Sequence, residues 1–378
     1  MRQLEVRLAI ACALVLGAAC ETSDGEWDLG GVGPAERQAA SADPGTFALV
    51  KGRSYGDAGG DASLAYPAAM AAHSSGILAV TDAPACDISL IDTATFSLIR
   101  RFGQCGDGPG EMRGIGALTF SADTLIAYDI VHSALELFTL EGHFLRRVGV
   151  TAGSLTGLAP FRPGTILASV SRRALGAIPD SARGDQQYLL AEISTLDGSV
   201  RGWHVRDSES SMRNPANFTR FVTMCSPSSG QQPRIALQSQ WQFEGAILLG
   251  HDLASASHFI VDLGQTEIMP VASGEGVRPA ARRPDPLCGD ELIWFRRAYW
   301  KPVGEGMQLV GGRSEFRYYD GTLAAAIDVA TPDSSALIGT GTALGKAFYR
   351  IIFWGDVPRI QEFRLERKPI VATRVRSQ

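Results

Sequence analysis

The sequence predicts an all-β protein, a β-propeller closed by a strand from the N-terminal side of its own chain. Short runs of alternating apolar and polar residues recur along the chain, separated by Gly, Asp and Ser turns. Two groups of these runs match each other at an offset of 47 positions within residues 54–150. No long stretch carries the apolar stripe of an amphipathic helix. A small unit of strands cannot bury both its faces alone, whereas several packed around an axis can.

The chain has 378 residues, 45% of them hydrophobic, and a net charge of −5. That is enough for one large domain or two small ones. The charge and the lack of a dense Lys/Arg run argue against a nucleic-acid surface.

Residues 1–19 read as a targeting segment. Arg2 and Arg7 form a basic start, and Leu8 to Gly17 is an apolar run too short to span a bilayer as a mature helix. Gly17-Ala18-Ala19-Cys20 follows and resembles a bacterial lipobox, although Gly17 stands where Leu is usual. The resemblance implies lipid attachment at Cys20; the other reading is an ordinary signal peptide that leaves Cys20 a thiol. Residues 20–45 are small and polar and read as a flexible tether. The propeller domain is expected over 46–372, opening with the strand Phe47-Ala48-Leu49-Val50.

The repeat defines the first two units. Leu78-Ala79-Val80-Thr81-Asp82 falls on Leu125-Ile126-Ala127-Tyr128-Asp129. Ser97 to Gly103 falls on His143 to Gly149 after a one-residue slip in a turn. Between the units lies Phe102-Gly103-Gln104-Cys105-Gly106-Asp107-Gly108-Pro109-Gly110-Glu111-Met112. It lacks the Lys of a phosphate-binding P-loop and the spacing of a dinucleotide fingerprint. Its glycines are expected to supply positive φ in a turn between blades.

Beyond Val150 the pattern continues less regularly. Strands are expected at 164–170, 188–193 and 200–203, then at 235–237, 245–249 and 259–262. Further strands are expected at 292–295, 307–310 and 316–319, and a last group at 336–339, 349–354 and 360–365. Residues 205–230 and 270–290 read as long insertions. The expected count is six blades, with seven the other outcome of the arithmetic, and Phe47–Val50 beside Ile360–Leu365 closes the ring.

The run FGQCGDGPGEM, then a strand ending in Asp, then a strand and turn into FLRRVG, resembles the NHL-type repeat. It is similar to the six-bladed propeller lipoproteins of environmental bacteria, specifically over 54–150 and loosely over 160–366. The resemblance implies the fold and no particular activity.

Besides Cys12 in the targeting segment and Cys20, four cysteines remain: Cys86, Cys105, Cys225 and Cys288. Three pairings are open to them. Cys86 with Cys105 is preferred because both fall in turns at the edges of one unit, which leaves Cys225 with Cys288. Unpaired buried thiols are the other reading. No CxxC or HxxxH spacing suggests zinc.

Asp82 and Asp129 end equivalent strands. They read as acceptors for turn N–H groups, with a channel cation as the rival reading. His132, three residues after Asp129, is the best single histidine. Trp203, Arg213, Arg220, Arg282 and Arg283 border or lie in the two insertions and are binding candidates, since long loops on one propeller face often form the contact surface. Solvated loop residues are the plainer account of them. No nucleophile elbow occurs, and no cofactor or dedicated metal set is expected.

The function expected is an exported, lipid-anchored, monomeric binding or scaffold module of the bacterial envelope. Its loops would meet an envelope protein, peptide or glycan, and the membrane would hold it only through the lipid. The alternative is a metal-dependent enzyme working in the central channel, since calcium-dependent lactonases and NHL-type lyases use the same fold.

Overall fold

The computed structural model describes residues 47–56, 63–152, 154–170, 187–207, 220–225, 234–239, 246–250, 256–259, 278–279, 286–303, 306–330, 340–352 and 358–367. The first sheet holds β2 (Pro67–His73), β3 (Ile77–Asp82), β4 (Asp87–Asp92) and β5 (Ser97–Phe102), after an opening strand β1 (Phe47–Tyr55). The second holds β6 (Ile115–Ser121), β7 (Thr124–Asp129), β8 (Ala134–Thr139) and β9 (Phe144–Gly149). The third holds β10 (Leu155–Pro160), β11 (Thr165–Val170), β12 (Gln187–Ser194) and β13 (Val200–Asp207). The fourth holds β14 (Arg220–Cys225), β15 (Arg234–Ser239), β16 (Ala246–Gly250) and β17 (Ala256–Phe259).

Two short strands, β18 (Arg278–Pro279) and β19 (Leu287–Cys288), precede the long β20 (Leu292–Val303), β21 (Gly306–Tyr318) and β22 (Leu323–Ala330). The chain ends with β23 (Gly341–Leu344), β24 (Ala347–Ile352) and β25 (Arg359–Arg367). These three strands take β1 as their fourth, in the order β1-β25-β24-β23. Leu49 lies opposite Leu365 and Tyr55 opposite Ile360, so the N-terminal strand closes the ring as expected.

The strands nearest the axis meet in a circuit: β2 touches β6, β6 touches β10, β10 touches β14, β14 touches β19, β19 touches β23 and β23 touches β2. The core lies between sheets rather than within one. Ala71, Ile88 and Leu90 of the first sheet pack on Leu118, Leu125 and Phe138 of the second. Tyr128, Leu135 and Leu137 of the second pack on Leu158, Ile166 and Ile193 of the third. Trp294 and Phe316 meet Phe348 and Phe363 across the last junction.

Burial explains the sequence pattern. The second and third strands of each early sheet are covered on both faces, so ILAVTD and TLIAYD are nearly continuous apolar runs. The outermost strands SLIRRF and FLRRVG have one wet face and carry the arginines.

The expectation of six blades, with seven the other outcome, is corrected by the pairing. Five sheets have the four-strand blade form, and the remaining one has five strands. Its hairpin strands β20 and β21 are 12 and 13 residues long. Two short strands share the inner edge of β20: Arg278 opposes Trp300 at one end, and Leu287 opposes Trp294 at the other.

The insertion read over 205–230 is also narrower than expected. β13 continues to Asp207, and β14 is a strand from Arg220 to Cys225. Both expected disulfides are present, Cys86–Cys105 and Cys225–Cys288. Among the described residues no helix is long and apolar enough to cross a membrane.

Candidate functional site

β3 and β7 end, and β2, β4, β6 and β8 begin, at one end of the propeller. The Gly-rich segment 103–114 crosses that end from β5 to β6, and the β7–β8 turn, residues 130–133, stands beside it. The repeat is literal in this region. Asp82 accepts hydrogen bonds from the Ala65 and Tyr66 N–H groups at 2.6 and 2.8 Å. Asp129 accepts from the Arg113, Val131 and His132 N–H groups at 2.8, 2.9 and 3.2 Å. Both aspartates therefore fix turns, as the sequence suggested. They sit on second strands, one strand out from the axis.

The Gly-rich segment is tied down along its length. Gly103 and Gly110 have φ of +91° and +76°, the left-handed conformation that glycine adopts without cost. Met112 N–H donates to the Gln104 carbonyl at 2.9 Å, and Glu111 Oε2 accepts from Gly108 N–H at 2.8 Å. Arg147, from β9, donates to the carbonyls of Asp107, Gly108 and Glu111 at 2.9, 3.2 and 2.7 Å. The Cys86–Cys105 bridge ties the segment to the β3–β4 turn.

Under this segment lies a charged cluster that sequence reasoning found only in part. His132 Nδ1 lies 2.7 Å from Asp129 Oδ2, and its Nε2 lies 2.7 Å from Asp107 Oδ1. Asp107 also pairs with Arg113. Glu136, one strand further out on β8, pairs through Oε1 with Arg147. The Asp129 and Glu136 side chains are fully buried, and His132 is mostly covered.

Its hydrogen bonds to the Asp107 and then the Asp129 carboxylate hold the His132 imidazole above its ordinary pKa. The bond from His132, aided by Arg113, holds Asp107 below the usual carboxylate range. Burial pushes Asp129 up, but N–H bonds from Arg113 and His132 and the His132 ring more than offset it, so its carboxyl also lies low. Burial pushes Glu136 up, and Arg147 offsets only part of that. Single donor atoms of Asp129, His132 and Glu136 all lie within 4.8 Å of one another, so these three could hold a cation.

Glu136, Asp107, Arg147 and Arg113 were not singled out from the sequence. The repeat held the signal: Glu136 stands where the first unit has Ser89, and Arg147 stands where it has Arg101. Arg101 Nε donates to Ser89 Oγ at 3.1 Å and lies 3.7 Å from Asp87 Oδ2, so the first unit keeps the arginine but meets its carboxylate two residues earlier and less closely.

Of the binding candidates, only His132 is in this cluster. Trp203 lies on β13 opposite Ala191, and Arg220 opens β14 opposite Ser239. Arg213, Arg282 and Arg283 lie outside the described residues, as does Cys20.

Exposed apolar side chains stand on the same end: Tyr66, Ile130 and Val131 are 53%, 46% and 59% exposed, and Ile130 N–H donates to the Gly114 carbonyl at the end of the tied segment. A groove of about 220 Å³ runs along its other flank, between Pro109 and the Phe102, Phe138 and Phe144 rings.

No protein-family profile matches the chain, and no curated protein matches it. Solved structures do. A member of the DUF4221 family from Bacteroides vulgatus superposes with a TM-score of 0.55 at 9% identity, covering 86% of this chain and 99% of that one. A Bacteroides fragilis protein named as an exported protein superposes with a TM-score of 0.54 at 9% identity, covering 86% and 97%. A streptogramin B lyase fits more loosely, with a TM-score of 0.45 at 12% identity. At these identities the likeness speaks for the propeller fold alone.

Proposed function

We propose that this chain is an exported binding module that presents the loop-bearing end of a propeller to a partner in the bacterial envelope. One observation carries the reading. The Gly-rich segment is held by a disulfide and by three Arg147 hydrogen bonds, and exposed Tyr66, Ile130 and Val131 stand on the same end. A pre-ordered loop among exposed apolar side chains suits recognition, because little entropy is lost on contact.

In this reading the five-stranded sheet counts as a sixth blade, Cys20 carries a lipid, and a monomer hangs from the membrane by the tether. The partner is an envelope protein, peptide or glycan. The two disulfides suit an oxidising compartment, and the likeness to a protein named as exported agrees with that.

The test is site-specific photo-crosslinking in the native host. A photoreactive residue at Val131 is expected to give a discrete adduct. The same residue at Leu196, exposed in the β12–β13 turn at the opposite end, is expected to give none. Equal labelling at both ends, or none at Val131, would sink the docking assignment. Radiolabelled palmitate incorporated by the natural chain and lost in Cys20→Ala tests the anchor.

A further inference from the structure

Glu136 Oε2 is fully buried and has no hydrogen-bond partner. A buried carboxylate oxygen left bare carries the full desolvation penalty of a charged group, so something is expected to complete it. The other carboxylate oxygen is already bound by Arg147, and the donor atoms nearest to Glu136 in the cluster belong to Asp129 and His132.

We propose that Asp129, His132 and Glu136 form a site for a zinc-class divalent cation, an assignment independent of the docking reading. All three come from one hairpin, from the last residue of β7 through its turn to the third residue of β8, so the backbone presents them together. Bonds of about 2.0–2.2 Å to a tetrahedral ion place its donors about 3.4 Å apart. The present limit of 4.8 Å therefore requires only small side-chain adjustments.

The far side of His132 supports the same assignment. Nε2 bonds to Asp107 Oδ1 at 2.7 Å while Nδ1 faces the cluster. A carboxylate behind a metal-binding imidazole fixes the ring and raises the basicity of the ligating nitrogen. Asp107 is thus a positioning residue, held in turn by Arg113. The ion would replace the proton on Nδ1, which leaves to solvent as the nitrogen lone pair takes the metal. One imidazole and two carboxylates suit zinc, and calcium is disfavoured because it wants six to eight oxygens.

The site would brace the face. It would join the β7–β8 hairpin, through His132 and Asp107, to the Gly-rich segment that packs on it. Its effect would be to stiffen the surface flanked by Ile130 and Val131.

The experiment uses the full chain, exported so that both disulfides form, carrying no histidine tag and stripped with EDTA. Zinc chloride is titrated by calorimetry, and cobalt is followed by its visible spectrum. One zinc per chain is expected, with a tetrahedral cobalt spectrum. Glu136→Gln and His132→Gln should each weaken binding at least tenfold, and Asp107→Asn about ten- to a hundredfold. Near-ultraviolet dichroism of each variant shows that it is folded. Asp123→Asn, an exposed acid outside the cluster, should bind as the natural chain does. Absence of a zinc heat, or binding undiminished in folded Glu136→Gln and His132→Gln, would overturn the site and mean that a proton or water completes the Glu136 oxygen.

Discussion

Arg147 does two things at once: it neutralises the buried Glu136 and it holds three carbonyls of the Gly-rich segment. Breaking a buried pair by removing one partner strands the other charge and typically costs about 3–5 kcal/mol. Arg147→Ala should therefore lose about that much in chemical denaturation, while Arg101→Ala, which gives up a bond to Ser89 and a looser 3.7 Å pair with Asp87, should lose clearly less. Equal losses would show that Glu136 is not the reason. Glycine conformation matters most at Gly198, where φ is +71° and an added Cβ would meet the Gly149 carbonyl oxygen. Gly198→Ala should cost about 2 kcal/mol or more, from the left-handed backbone and the clash together. A denaturation midpoint unchanged from the natural chain would refute that.

The first two sheets are copies down to their turns. Cys86 and Ser133, at equivalent places, both have positive φ, 52° and 49°. Phe96 and Gly142 are equivalent too, at 58° and 80°, so one unit places a phenyl ring where the other has glycine. Phe96 is retained there by its packing on Tyr349 and under the Arg53 guanidinium. The disulfide belongs to this scale. It closes a loop of 19 positions, and a cross-link of that span contributes about 3 kcal/mol in the chain-entropy account. Cys86→Ser with Cys105→Ser should lower stability by roughly that amount and speed proteolytic nicking between 103 and 112. Unchanged nicking would mean that Arg147 and Glu111 alone order the segment.

At the scale of the whole molecule, closure rests on β1 and on one clasp. Arg53 on β1 pairs with Glu362 on β25 at 3.1 Å, and Arg364 binds the other carboxylate oxygen at 2.7 Å. Burial pushes Glu362 up, but bonds from Arg364 and Arg53 more than offset this and leave its carboxyl below the ordinary glutamate range. A carboxyl lowered on folding adds stability above its unfolded value and loses it as pH falls through its folded one. Thermal stability should thus fall as pH drops below about 4.5, and Glu362→Gln should flatten that limb of the Tm–pH curve. Removing residues up to 56 deletes β1 and bares the β25 edge, so the shortened chain should lose its cooperative transition or aggregate. A sharp transition at the natural Tm would show that closure by β1 is dispensable.

The sequence by itself determined the propeller and its closing strand, because these follow from local patterns, while for the cysteines it favoured one pairing out of three and the structure decided it. Period-2 runs, turn residues and a repeat at a fixed offset are properties of neighbours in the chain. It also placed Asp82 and Asp129 at turns, since a carboxylate at a strand end has nearby N–H groups to accept. Blade form was less legible. Nothing in LIWFRRAYWKPV says that β20 takes two short partners on one edge, because pairing is decided by which strands arrive beside it. The same holds for the strand hidden at Arg220–Cys225, a short apolar run between polar stretches. The site was least legible. Asp107, His132, Glu136 and Arg147 lie up to 40 positions apart and meet only because β5, β8 and β9 bring their ends to one junction. Only the tertiary structure could decide that Glu136 is buried with one oxygen bare, since burial depends on what packs against a strand and not on the strand's own residues.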